Sequence, residues 1–200
     1  LEQIIAERIE FLKGYQNTSY AKQYEQLVQQ VRTLEQQVMP AKTQLTEIVA
    51  KNLFKLMAYK DEYEVARLHL DAAFNAQLKQ QFKGSFSIRY HLAPPVFAAK
   101  NERGELIKST YGSWMMLVFK VLARLKGLRG TAFDPFSYSQ ERIQERAWIA
   151  QYQLFIKDSL KRLNQDNYQQ LLNLAKIPEN IKGYGHIKAR RSEEHTSELQ

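Results

Sequence analysis

Asn52–Leu70 reads NLFKLMAYKDEYEVARLHL, and its changes of pattern decide the architecture. Leu53, Leu56 and Met57 close an apolar stripe that begins at Leu45, Ile48 and Val49, in the three- and four-residue steps of a helix face. Lys60-Asp61-Glu62 then breaks the stripe with charge, and Val65, Leu68 and Ala72 carry an apolar face onward. Two helices joined by a charged break are expected. The first starts at or near Thr43, and the carboxylates sit at the N-terminus of the second, where the helix dipole favours them.

Upstream, Ile5, Ile9 and Leu12 mark a short amphipathic segment that Gly14 ends. From Ser19 to Met39, Tyr24, Leu27, Val28, Val31, Leu34 and Val38 form a narrow seam fit to pack on a neighbouring helix, and Pro40 stops it. Residues 1–40 are therefore expected as an N-terminal helical hairpin or arm, and 41–190 as a helical domain.

Downstream, Gly84 changes the period. Phe86, Ile88, Tyr90 and Leu92 alternate with Ser85, Ser87, Arg89 and His91, the pattern of a half-buried strand. Pro94-Pro95 ends it, Asn101–Gly104 reads as a turn, and Glu105–Tyr111 can pair back, giving one hairpin within 84–111. Trp114–Leu125 is apolar on most sides and is expected as the central buried helix, with the hairpin against it and Gly127 at its C-cap. Ser139 should cap a helix reaching about Leu163, with Ile143, Ala147, Phe155 and Leu160 among its apolar positions. Asn167–Ala175 adds a short helix, and Pro178 begins a last turn. The expected fold class is mainly α, a helical domain with one small antiparallel β-hairpin.

A chain of 200 residues that is 44% hydrophobic, with eleven Tyr and ten Phe, can bury a sizeable core. No apolar run has the length of a membrane span, and Leu1-Glu2-Gln3 opens straight into an amphipathic pattern, so no secretory signal is read. With no cysteine, disulfides, zinc–thiolate sites and cysteine-held iron–sulfur clusters are excluded from this segment, and the cytoplasm is the expected compartment. The start at Leu1 without methionine suggests a fragment. Residues 191–200, RSEEHTSELQ, look like translated adapter sequence and are set aside as a non-native tail, together with His195. The other 190 residues carry 28 Lys and Arg against 18 Asp and Glu, a net charge of +10.

No catalytic or metal motif emerges from residue spacing. His69, His91 and His186 are not placed as ligands on one helix face, and packed or surface roles suit them better. His186, near Gly183, Gly185 and Lys188, is the one best placed to meet a ligand or an adjoining domain. Arg124–Gly130, with Lys126 and Arg129 among small residues, could cradle a phosphate, but it lacks the strand–loop–helix setting of a nucleotide loop. Cations that complement a helix C-terminus are the plainer account. Lys60, Asp61, Glu62, Glu64 and Arg67 could include paired carboxylates for proton transfer; more often such a run is a solvated face or a turn with exposed ion pairs, so Asp61 is read first as structural. The basic balance admits RNA or another anionic partner, and a free-standing basic helical module is the alternative reading. The cations are spread through every segment rather than gathered in a stripe, so nucleic acid ranks below an acidic protein partner.

Five segments, in order, carry a resemblance. They are Arg8–Tyr20 (RIEFLKGYQNTSY), Asn52–Leu68 (NLFKLMAYKDEYEVARL), Arg89–Ala98 (RYHLAPPVFA), Ala123–Pro135 (ARLKGLRGTAFDP) and Pro178–Ala189 (PENIKGYGHIKA). They are similar to the C-terminal region of the indolepyruvate ferredoxin oxidoreductase family in its long fused form, over essentially residues 1–190. The resemblance implies a parent enzyme that decarboxylates aryl 2-oxoacids on thiamine diphosphate with magnesium and passes electrons through iron–sulfur clusters to ferredoxin. The acyl group usually leaves on coenzyme A. None of the residues that carry this chemistry can be placed on the present chain, so no catalytic, cofactor-binding or metal residue is assigned here. The expected local role is a non-catalytic assembly or interface domain that packs on catalytic domains upstream in the same chain, in an enzyme expected to be a homo-oligomer. Lys60, Asp61, Glu62, Arg67, Lys126, Arg129 and His186 are the candidate contacts to a partner or an anion.

Overall fold

The computed structural model describes residues 1–82, 84, 86–93 and 107–180. Among the described residues the architecture is mainly α with one small hairpin, as the sequence pattern predicts. The chain divides into two compact units: one runs from Leu1 to Tyr59 and resumes at Tyr138, and the other is Lys60–Ser137. The boundary expected near residue 40 falls inside the first unit.

The first unit holds α1 (Glu2–Tyr15), α2 (Thr18–Val38), α3 (Gln44–Met57), α7 (Gln140–Leu160), α8 (Tyr168–Ala175) and the short α9 (Ile177–Asn180). Leu12, Tyr24, Val28, Val31, Leu45, Val49 and Leu53 are fully buried in one core, joined by Ile149, Ile156 and Leu172. Asn17 caps α2 by accepting from the Tyr20 amide at 2.8 Å. Tyr15, Tyr20 and Tyr24 donate their hydroxyls to the Tyr59, Met57 and Ala50 carbonyls; Met57 is the last residue of α3, where a helix lacks donors of its own.

The N-terminus of α3 is capped from outside. Thr43 takes the N-cap position, yet its side chain makes no cap bond. The buried Glu35 of α2 supplies the acceptor, taking the Leu45 and Thr46 amides at 2.7 and 2.9 Å. It also accepts the Thr46 and Tyr168 hydroxyls at 2.5 and 2.6 Å. Burial and this carboxylate together push the Tyr168 phenol well above its usual range.

In α7, Ser139 caps as expected, accepting from the Arg142 amide at 3.3 Å. The buried positions are Glu145, Ile149, Tyr152, Ile156 and Leu160; of the expected apolar positions Leu160 is buried, Ala147 and Phe155 are half-buried and Ile143 is exposed.

The second unit holds α4 (Glu62–His69), α5 (Ala72–Gln81), β1 (Tyr90–Leu92), β2 (Ser109–Tyr111), α6 (Met115–Arg124) and a 3-10 turn at Leu125–Leu128. β1 and β2 pair antiparallel, Tyr90 opposite Tyr111 and Leu92 opposite Ser109, so among the described residues of the expected 84–111 span the ladder is three residues long. Asp61 and Asp71 cap α4 and α5 through the Glu64 and Phe74 amides. Ala66, Tyr90, Met115 and Phe119 form the core, with Ile88, Leu92, Tyr111 and Leu122 against it. The hairpin and α6 thus share a core, but α6 is not buried all round. Only Met115 and Phe119 are enclosed, while Trp114, Leu117, Val121 and Leu125 are 57, 65, 55 and 42% exposed. Gly127 lies within the 3-10 turn rather than at a helix C-cap.

Among the described residues no helix is long and apolar enough to cross a membrane.

Candidate functional site

Two charged stretches that the sequence presents separately, 60–67 and 124–130, meet in the second unit. The Arg129 guanidinium donates through Nε to Asp61 Oδ2 at 2.5 Å and through Nη2 to Oδ1 at 2.8 Å, with both side chains almost wholly enclosed. This two-pronged geometry is the strong form of an Arg–carboxylate pair. The same Asp61 Oδ1 accepts the Glu64 amide, so one carboxylate caps α4 and anchors the loop after α6.

Around the pair the loop is held by a second carboxylate. Asp134 accepts the Tyr63 hydroxyl at 3.0 Å, the Gly130 amide at 2.8 Å and the Phe136 amide at 3.0 Å. The Tyr63 ring lies beneath Arg129, with Cζ 5.4 Å from its centroid, and meets the Phe136 ring edge-on at 5.4 Å. Burial first, then the bond to Asp134, pushes the Tyr63 phenol far above its usual range, so it stays a neutral donor. Gly130 has φ of 75°, a left-handed conformation that glycine adopts freely, and this turns its amide toward Asp134.

The candidate contacts therefore separate by burial. Asp61 and Arg129 are 4% exposed and face each other, so neither offers a surface to a partner, and the solvated-run reading does not describe them. Glu64 is buried and receives Arg67 through two bonds at 2.8 and 2.7 Å, and that bonding raises the Arg67 pKa. Lys126 is half-buried. Burial, then the nearby Arg67 and Arg129 charges, lower its pKa. As a phosphate cradle this loop is compromised, because the Arg129 fork engages Asp61 and the Gly130 amide engages Asp134. Lys60 is exposed and Glu62 half-buried. His186 lies outside the described residues.

Tyr63 and Asp134 escaped the sequence reading. The signal for Asp134 was present: an Asp two residues before Phe136 closes an Asx-type turn onto the Phe136 amide. Nothing local pointed to Tyr63, whose partner is 71 residues away.

Of the described histidines, His69 is packed and His91 is exposed on the hairpin. The His69 ring stacks on Phe119 at 4.8 Å and meets Tyr90 edge-on at 5.2 Å, and burial, with Lys60 nearby, lowers its pKa. His91 Nδ1 is 3.0 Å from the Thr110 hydroxyl across the hairpin. A partly open, mostly apolar cavity of about 360 Å³ lies beside His69, walled by Phe74, Leu78, Phe82, Phe86 and Ile88. Among the described residues no three His, Asp or Glu side chains gather as metal ligands would.

Residues 1–200 match the model of DUF6537, a family of unknown function, and the chain belongs to that family. No curated protein and no solved structure matches it.

Proposed function

We propose that this member of a family of unknown function is the C-terminal, non-catalytic region of a fused 2-oxoacid:ferredoxin oxidoreductase, acting as an assembly or interface domain for the catalytic parts of that protein. One observation carries the reading. Of the five segments that resemble the oxidoreductase family, two distant ones, Asn52–Leu68 and Ala123–Pro135, supply all four side chains of the buried Asp61–Arg129–Tyr63–Asp134 arrangement. That two of the resembling segments meet in one buried arrangement supports reading them as parts of one domain.

The division of labour follows from the donor set. A chain without cysteine has no thiolate to hold an iron–sulfur cluster, so no step of the redox chemistry is routed through these residues. Thiamine diphosphate, magnesium, the clusters and the contact with ferredoxin belong, in this reading, to the parent protein upstream. Homo-oligomeric assembly and a cytoplasmic location go with it.

The test is to read the native gene through both ends of this segment and to assay the intact product anaerobically for indolepyruvate- and coenzyme A-dependent reduction of ferredoxin. The expected result is a frame that continues upstream into cysteine-rich and thiamine-diphosphate domains, with turnover in the assay. A start codon directly before Leu1, with no such activity, overturns the proposal. It would leave an independent basic module, whose binding to RNA would weaken steeply with salt.

A further inference from the structure

We infer that the outer stripe of α6 is the docking face for an acidic amphipathic helix of a partner protein. Trp114, Leu117, Val121 and Leu125 follow each other at steps of three, four and four, and each is 42% exposed or more. Leu117 and Val121 lie on α6, Trp114 is its N-cap residue and Leu125 opens the 3-10 turn; at 3.6 residues per turn the four fall within an arc of about 80°. The opposite face, Met115 and Phe119, is occupied by the core of the second unit, so this stripe is a second apolar face on one short helix.

Charge selects the occupant. Lys120 and Arg124, both exposed and four residues apart, run along one edge of the stripe. From Ser109 to Arg124 the sequence has two cations, Lys120 and Arg124, and no Asp or Glu. A partner that covers the stripe therefore meets a basic border. A helix with apolar residues at i, i+3 or i+4, and i+7, and with Asp or Glu along one edge, satisfies both features. A second copy of α6 supplies no acid for Lys120 or Arg124. A bilayer surface suits a broader apolar face than this narrow seam.

The inference rests on the interface role proposed for the domain and is independent of which enzyme the parent is. Its test places a photo-crosslinking residue at Leu117 in the intact protein in its native cells, with Leu154, 62% exposed on the other unit, as the control position. The expected adduct is a peptide with apolar residues at helical spacing and at least two Asp or Glu. Lys120→Glu/Arg124→Glu should cut its yield about tenfold, the effect of losing roughly 1.4 kcal/mol. Changing the partner's acids to lysine should then restore it. A lipid adduct, an adduct with a second α6, a peptide without acids, or a yield at Leu117 no higher than at Leu154 each overturns the inference. A failed oxidoreductase assay with a charge-reversible adduct removes the enzyme assignment alone, and the reverse pattern removes the docking face alone.

Discussion

Glu35 holds four donors from two other helices: the Leu45 and Thr46 amides, the Thr46 hydroxyl and the Tyr168 hydroxyl. Glu35→Ala leaves them buried without an acceptor, and urea denaturation should show a loss of about 3 kcal/mol. Part of this was legible, since Glu35 stands four residues beyond Val31 on the Tyr24–Val28–Val31 face, a polar residue at a core step. Its donors were not legible, because Tyr168 is 133 residues away. At the Asp61–Arg129 pair, Arg129→Met strands a buried carboxylate and should cost about 3–5 kcal/mol. The double variant Arg129→Met/Asp61→Leu should cost clearly less, and a double-mutant cycle reads the difference. His69 is held below its ordinary pKa mainly by burial, so the folded chain binds its proton less readily than the unfolded chain. Its contribution is then complete above the unfolded pKa of about 6.5 and is lost as pH falls below it. Urea titrations at pH 7 and pH 5 should show that loss, and His69→Phe, which keeps a ring on Phe119, should reduce it.

At the scale of elements, α6 and α7 show where periodicity stops informing. MMLVFKVLAR is apolar on nearly every side, so no period within it says which side is buried, and the expectation of a central helix followed from composition alone. The two faces should respond differently to substitution. Phe119→Ala should cost about 3–4 kcal/mol, whereas Leu117→Gln should change stability by no more than about 0.5 kcal/mol in thermal or urea unfolding. In α7, two apolar series compete within one helix. Ile149, Tyr152, Ile156 and Leu160 are buried, and Tyr152 also finds a buried acceptor, the Ala175 carbonyl at 2.9 Å, which no local pattern announces. The hairpin was legible because strict alternation through Phe86–Leu92 has no helical counterpart.

For the whole molecule, Pro40 gave a strong local stop, yet Glu35 reaches across that turn to α3, so a sharp break in pattern marked a corner and not the edge of a unit. The edges at residues 59/60 and 137/138 left only the charge at Lys60 as a sign. The first unit closes on itself where the chain leaves and returns: Arg142 Cζ lies 5.6 Å from the centre of the Tyr59 ring. Joining Tyr59 to Tyr138 through a short Gly-Ser linker should therefore give a chain that keeps its helical circular dichroism and melts cooperatively; loss of either would show that this unit depends on residues 60–137. The interrupted path also sets an order of events on the ribosome. Once α3 has emerged, the 78 residues from Lys60 to Ser137 must be translated before α7 can begin to appear, a delay of roughly 4–16 s at ordinary elongation speeds. During it the side of α3 meant for α7 and α8, which carries Asn52, the donor to the Ala175 carbonyl, stands bare, while the inserted unit can complete itself as it leaves the exit tunnel. A nascent chain stalled after Ser137 is thus a trapped half-core, the form on which a chaperone would act.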